Sequence, residues 1–209
     1  MNLQYAVKGL RWKRRSAARG RSLPGWRFYF ALLLAIFSLP NSLHLEAQQS
    51  RPTESQVKAA YLFNFGKFVR WRTPPDNRSD SLEICVLGKN SFGTVLDATV
   101  KGETIDGKPV IARNVSSLRE AEGCHILFVS LSEESRLSTV LAEAKRLPAL
   151  TVSDIPHFAE RGGMIGLVNH DDRIRFEVNV VPMEDVGLTV SSELLKVALR
   201  VIRKSGGGS

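Results

Sequence analysis

The chain has 209 residues, with 29 Lys and Arg against 21 Asp and Glu and a hydrophobic fraction of 43%. That length fits one domain or two small ones. The formal charge of +8 misleads, because residues 1–47 hold eight bases and one acid, which leaves 21 bases and 20 acids for residues 48–209. Nucleic-acid binding needs a clustered excess of Lys and Arg to displace counterions from phosphates, and the near-neutral remainder excludes it.

The first element is a leader. A basic stretch ends at Arg27, the apolar run 28–39 follows, and Pro40-Asn41-Ser42 breaks it. The run suits the roughly 7–15-residue hydrophobic region of a secretory signal and is short for a spanning helix of about 20 residues. Leu45-Glu46-Ala47 offers a cleavage site after Ala47, with an uncleaved anchor as the alternative. Residues 1–47 therefore read as a signal peptide, 48–204 as one exported domain and 205–209 as a flexible tail. Export predicts a periplasmic location and an oxidising compartment for Cys85 and Cys124. That compartment favours a bridge between them over two buried free thiols.

Thr53-x-x-Gln56 is a capping-box pattern, so a helix is expected over 54–70. Val57, Tyr61, Phe65 and Phe68 recur at helical spacing and predict its buried stripe. Phe63 then falls on the outer face beside Lys67 and Arg70, as a candidate partner anchor or an aromatic covered by the same chain. Residues 82–87 predict a strand, and 88–93 a turn into a short helix at 94–99. Asp106-Gly107 marks a turn before a strand at 109–112, and a short helix is expected near 116–122. The near-continuous apolar run 125–129 suits a central strand covered on both faces. Ser132 is placed as the cap of an amphipathic helix to Arg146, with Leu137, Val140, Leu141 and Ala144 inward.

A fourth strand is expected at 148–152, then a helical turn at 158–161 closed by Gly162-Gly163. Residues 164–168 and 173–181 predict an antiparallel pair with the turn at 169–172. Ser191 or Ser192 caps an expected last helix over 193–203. Strands alternating with helices imply a Rossmann-like three-layer α/β sandwich, its mostly parallel sheet carrying an antiparallel hairpin near the C-terminus.

Two surfaces attract functional readings. Ligands of such sheets bind beyond the carboxyl ends of the strands. Gly88, Asn90, Ser91, Ser153 and Asp154 fall there and are either a ligand edge or ordinary turn and cap residues. Arg173, Arg175 and Glu177 alternate with Ile174, Phe176 and Val178, giving a charged face that is either solvated or a recognition surface. Catalysis has little support. No histidine has a His or Cys two to four residues away, so no zinc site is expected, and no G-x-S-x-G elbow is present. No catalytic residue, metal or cofactor is assigned.

The blocks Val57-Lys58-Ala59-Ala60-Tyr61-Leu62-Phe63-Asn64-Phe65-Gly66-Lys67-Phe68-Val69-Arg70-Trp71, Ile84-Cys85-Val86-Leu87-Gly88 and Cys124-His125-Ile126-Leu127-Phe128-Val129-Ser130 resemble the YfiR-like periplasmic proteins. So do Leu150-Thr151-Val152-Ser153-Asp154, Gly162-Gly163-Met164-Ile165, Arg173-Ile174-Arg175-Phe176-Glu177-Val178-Asn179 and the block from Gly187 to Lys196. The resemblance spans about residues 55–200. It implies a non-enzymatic repressor of a membrane-bound diguanylate cyclase, with such a cyclase or a sensor kinase as partner. A small-ligand sensor module is the alternative reading, and a homodimer is the default oligomer. The family's structural disulfide maps onto Cys85 and Cys124. Its second cysteine pair has no counterpart, since this chain has only 2 cysteines.

Overall fold

The computed structural model describes residues 51–72 and 80–204. The expected signal peptide and tail lie outside the described residues. The order begins with α1 (Glu54–Phe68), β1 (Val69–Trp71), β2 (Leu82–Leu87), α2 (Val95–Val100), β3 (Thr104–Ile105) and β4 (Lys108–Val115). Next come β5 (Ile126–Val129), a 3-10 helix (Leu131–Arg136), α3 (Leu137–Ala144) and β6 (Leu150–Ser153). The hairpin β7 (Ile165–His170) and β8 (Arg173–Asn179) precedes α4 (Val180–Asp185), β9 (Leu188–Val190), α5 (Ser192–Val197) and β10 (Arg200–Ile202).

Eight strands form one sheet in the order β10-β8-β7-β6-β5-β2-β4-β3. β4, β2, β5, β6 and β7 are parallel neighbours, β8 runs against β7, and β3 runs against β4. The expected mostly parallel α/β sandwich with an antiparallel hairpin is the architecture observed. A separate antiparallel pair joins β1 to β9.

Two apolar layers sandwich the sheet, and the period of two along each strand divides side chains between them. β2 sends Ile84 and Val86 into one layer with α1 and α2, and Cys85 and Leu87 into the other with α3. β5 divides in the same way, with Ile126 and Phe128 opposed to Leu127 and Val129. The four inward residues read for the helix before β6 (Leu137, Val140, Leu141 and Ala144) are all buried.

Four local expectations are corrected. The helix near 116–122 is a turn, closed where the Ser116 N–H donates to the Glu120 carboxylate at 2.9 Å. Ser132 caps nothing. Its Oγ accepts the Lys89 N–H at 2.9 Å, and a 3-10 turn leads into α3 five residues later. The last helix stops at Val197, after which the chain becomes strand β10 beside β8. The Leu199 N–H donates to the Phe176 carbonyl, and Arg200 forks onto Glu177 at 3.1 and 2.9 Å. These non-local bonds override the helical spacing of Ala198, Val201 and Ile202.

The fourth correction concerns α1. Its capping box forms as read, but the buried set is Ala59, Leu62, Phe63, Phe65 and Gly66, with Phe68 exposed. The helix packs on the sheet and against α2 together, which buries a wider arc than one stripe. At Gly66 a Cβ would come 2.7 Å from Ile105 Cδ1, so any larger residue there would have to push the end of the Ile105 side chain aside.

Candidate functional site

At the carboxyl ends of the parallel strands most polar groups bond within the chain, and a cleft of about 350 Å³ lined by Thr53, Glu54, Ser55, Lys58, Ser91 and Phe92 remains. Gly88 follows β2 at φ +89°, and a Cβ there would collide with Ser132 Oγ and the Glu133 carboxylate. Ser130 Oγ donates to the Lys89 carbonyl at 2.7 Å, and Ser153 Oγ donates to the Val129 carbonyl at 2.6 Å. The same Ser153 oxygen accepts the Ile155 N–H at 3.0 Å. Asn90 makes an Asx turn, accepting the Phe92 N–H and donating to the Gly93 carbonyl. Of the five residues read as a ligand edge, Gly88, Asn90 and Ser153 thus build the turns, while Ser91 is exposed and lines the cleft beside Lys58.

Asp154 is engaged by a residue that sequence reasoning passed over. Lys58, one turn into α1, sits with Nζ 2.5 Å from Asp154 Oδ2 and 2.5 Å from Glu54 Oε1. Burial pushes the Lys58 pKa down, but hydrogen bonds from both carboxylates outweigh it, and the net shift is upward. The pair pins the start of α1 across the crevice. Asp154 Oδ1 is buried without a hydrogen-bond partner among the described residues, and Asp154 also borders an open cleft lined by Pro156, His157, Glu160 and Glu177.

The opposite end of the sheet also holds a cavity. Where β2, β4 and β5 begin, a cavity of about 180 Å³ is lined by Gly66, Val69, Arg70, Trp71, Leu82, Ile105, Asp106, Lys108 and His125. The Trp71 ring meets the His125 ring edge-on at 5.6 Å, and the Trp71 indole N–H is buried without an acceptor. His125 Nδ1 accepts the Glu83 N–H at 3.2 Å. The end of α1 forms the rim of this region. Phe63 lies inside with Lys67 Nζ 4.2 Å from its ring centroid, so of its two readings the aromatic covered by the same chain is the one observed. Phe68 is the outward aromatic, 37% exposed between exposed Lys67 and Arg70. Arg70 donates to the Lys67 carbonyl at 3.0 Å and lies 3.6 Å from Asp106, a pair too exposed to be worth much.

On β8, Arg173 is exposed and Arg175 donates to the Val197 carbonyl at 3.5 Å. Glu177 is held in the fork of Arg200, which also pairs with Glu160, and His157 Nδ1 lies 2.9 Å from Glu160. Arg200 first, then His157, holds the Glu160 carboxyl below the usual carboxylate range. This clasp fastens the edge strand β10, so Glu177 has an intramolecular role that the alternation alone did not reveal. Cys85 and Cys124 form the bridge, with both residues buried.

One solved structure shares the fold, and a second aligns more weakly. A conserved domain protein from Vibrio cholerae O1 biovar El Tor str. N16961 aligns with TM-score 0.50 at 11% identity, over 73% of this chain and 61% of that one. The ABC domain in complex with L-Trp from Streptococcus pneumonia aligns with TM-score 0.48 at 15% identity, over 71% and 60%. The chain therefore spans about three fifths of the length of each, and at this identity the first likeness shows the fold alone. The family comparison goes further. The model of the YfiR/HmsC-like family matches residues 55–199, from α1 to the end of α5 and including both cysteines, and the chain belongs to that family.

Proposed function

We propose that this protein docks through the end of α1 on the extracytoplasmic domain of a membrane-bound diguanylate cyclase and holds it inactive, lowering cyclic-di-GMP. Family membership supports a periplasmic regulatory role in cyclic-di-GMP signalling, and members of the family are regulators and not enzymes. Among the described residues no helix is long and apolar enough to cross a membrane. The single observation behind the docking surface is Phe68, an exposed aromatic between two bases. Aromatic and Arg side chains supply most binding hot spots, because they bury large area and pair with carboxylates in a fixed geometry. Inhibition then works by population shift, with the regulator binding the inactive cyclase more tightly than the active one.

The test is genetic and biochemical. Deleting the gene raises cellular cyclic-di-GMP, and the tagged protein retains the cyclase's periplasmic domain. Unchanged cyclic-di-GMP in the deletion strain removes the proposal.

A second reading is favoured by the cavity at Trp71. A small ligand seated there lies against Arg70 on the proposed docking rim and tunes inhibition. In a thermal-shift screen, a ligand at about 100 times its dissociation constant adds about 2.7 kcal/mol. A screen in which every hit is kept by Trp71→Phe and Gly66→Ser variants counts against this cavity.

A further inference from the structure

The disulfide occupies a set of side chains with a second chemistry. Glu83 and Cys85 are two residues apart on β2, so they share one face. Cys124 stands just before β5, the parallel neighbour of β2, with its Cα 5.9 Å from that of Cys85. One carboxylate oxygen of Glu83 and the two sulfurs all lie within 4.8 Å of one another. Arg113 stands opposite Cys85 in the register of β4. Its Nη2 lies 2.8 Å from Glu83 Oε2 and 3.5 Å from Cys124 Sγ. Both sulfurs are buried, but the Glu83 and Arg113 side chains are 18% and 39% exposed, which leaves one approach from solvent.

The geometry points to a redox-gated site for a thiophilic divalent metal of the zinc class, with Cys85 and Cys124 thiolates and the Glu83 carboxylate as ligands. A dithiol reductant supplies two electrons and two protons, opens the bridge to two thiols and leaves as its own disulfide. Metal binding then displaces the two thiol protons. Two thiolates and one carboxylate carry three negative charges against the metal's two positive ones. Arg113 neutralises the remainder, and its guanidinium beside Cys124 favours the thiolate that a metal needs. Three protein ligands leave a fourth position of a tetrahedral zinc site to water. Bridge and metal exclude each other, so the metal form belongs to the chain before oxidative closure or under reducing stress. Spacing along the chain cannot reveal this set, because its two thiols come from β2 and from the turn before β5, 39 residues apart.

The test uses Co²⁺ as a spectroscopic probe and Zn²⁺ as competitor on the full chain. Anaerobically reduced protein binds one Co²⁺ with a near-ultraviolet thiolate-to-cobalt charge-transfer band, Zn²⁺ abolishes the band, and the oxidised protein shows none. Glu83→Gln keeps its bridge until reduced and then binds about 10-fold or more weakly with the band retained. Cys124→Ser loses most of the band. Near-UV circular dichroism follows the fold throughout. No charge-transfer band in reduced protein that keeps its fold overturns the site. So does equal Co²⁺ affinity in Glu83→Gln, and so does loss of the fold on reduction that Zn²⁺ does not reverse.

Discussion

The two ends of the parallel sheet obey different rules. At the carboxyl ends, where open α/β sheets usually hold ligands, this chain spends its polar groups on itself. Ser130, Ser153 and Asn90 bond to backbone, and Lys58 bridges to Asp154. At the amino ends, a cavity lined by Trp71 and Arg70 stays open beside an exposed Phe68. Helix α1 runs from one end to the other, with Lys58 plugging the first and Phe68 standing at the second. The comparison teaches that fold-level expectation locates a crevice, while the side chains decide how much of it is left.

Substitutions along α1 sharpen that contrast most strongly. Phe63→Ala empties a buried aromatic site and should cost about 3 kcal/mol in urea unfolding. Phe68→Ala, five residues on, should change stability by no more than about 0.5 kcal/mol. Equal costs for the two would return Phe63 to the surface. Gly88→Ala forces a Cβ against Ser132 and Glu133 in a left-handed backbone position and should cost about 2 kcal/mol or more. A neutral result would mean that the crevice is open.

Asp154→Ala leaves Lys58 with Glu54 alone and should cost about 1–2 kcal/mol, less than a fully buried pair because both partners keep some solvent contact. The raised Lys58 pKa means that its contribution is complete at neutral pH and is lost only as pH climbs above its ordinary 10.5 and through the folded value. Glu160 works in the opposite sense. Its lowered pKa gives support to the β10 clasp that is present above pH 4.5 and lost as pH falls through the folded value. Amide exchange in β10 should therefore quicken below that point while β5 is unchanged. A smaller effect, of opposite sign, is expected at the hairpin tip, where Asp171 and Asp172 both have positive φ, 51° and 55°. Asp172→Gly should stabilise by about 0.5–1 kcal/mol in the same urea series.

What the sequence showed and hid follows the range of the forces involved. Strand β2 at Leu82–Leu87 and the apolar run of β5 were legible, because burial on both faces writes itself into consecutive residues. The capping box at Thr53 is likewise local. Strand β10 was not legible, because Arg200 answers to Glu177 on another strand and to Glu160 across the sheet edge. Phe63 and Phe68 exchanged roles because α1 meets two neighbours, and helical spacing describes only one face at a time. Lys58 was not singled out, although Glu54 four residues before it was the local hint.

The most direct test of docking at the amino end is cellular cyclic-di-GMP in the deletion strain complemented with wild type, with Asp154→Asn or with the double variant Phe68→Ala, Arg70→Glu, at matched protein levels. Wild type and Asp154→Asn should restore the low level, and the double variant should leave it high. A double variant that represses as well as wild type would contradict the account.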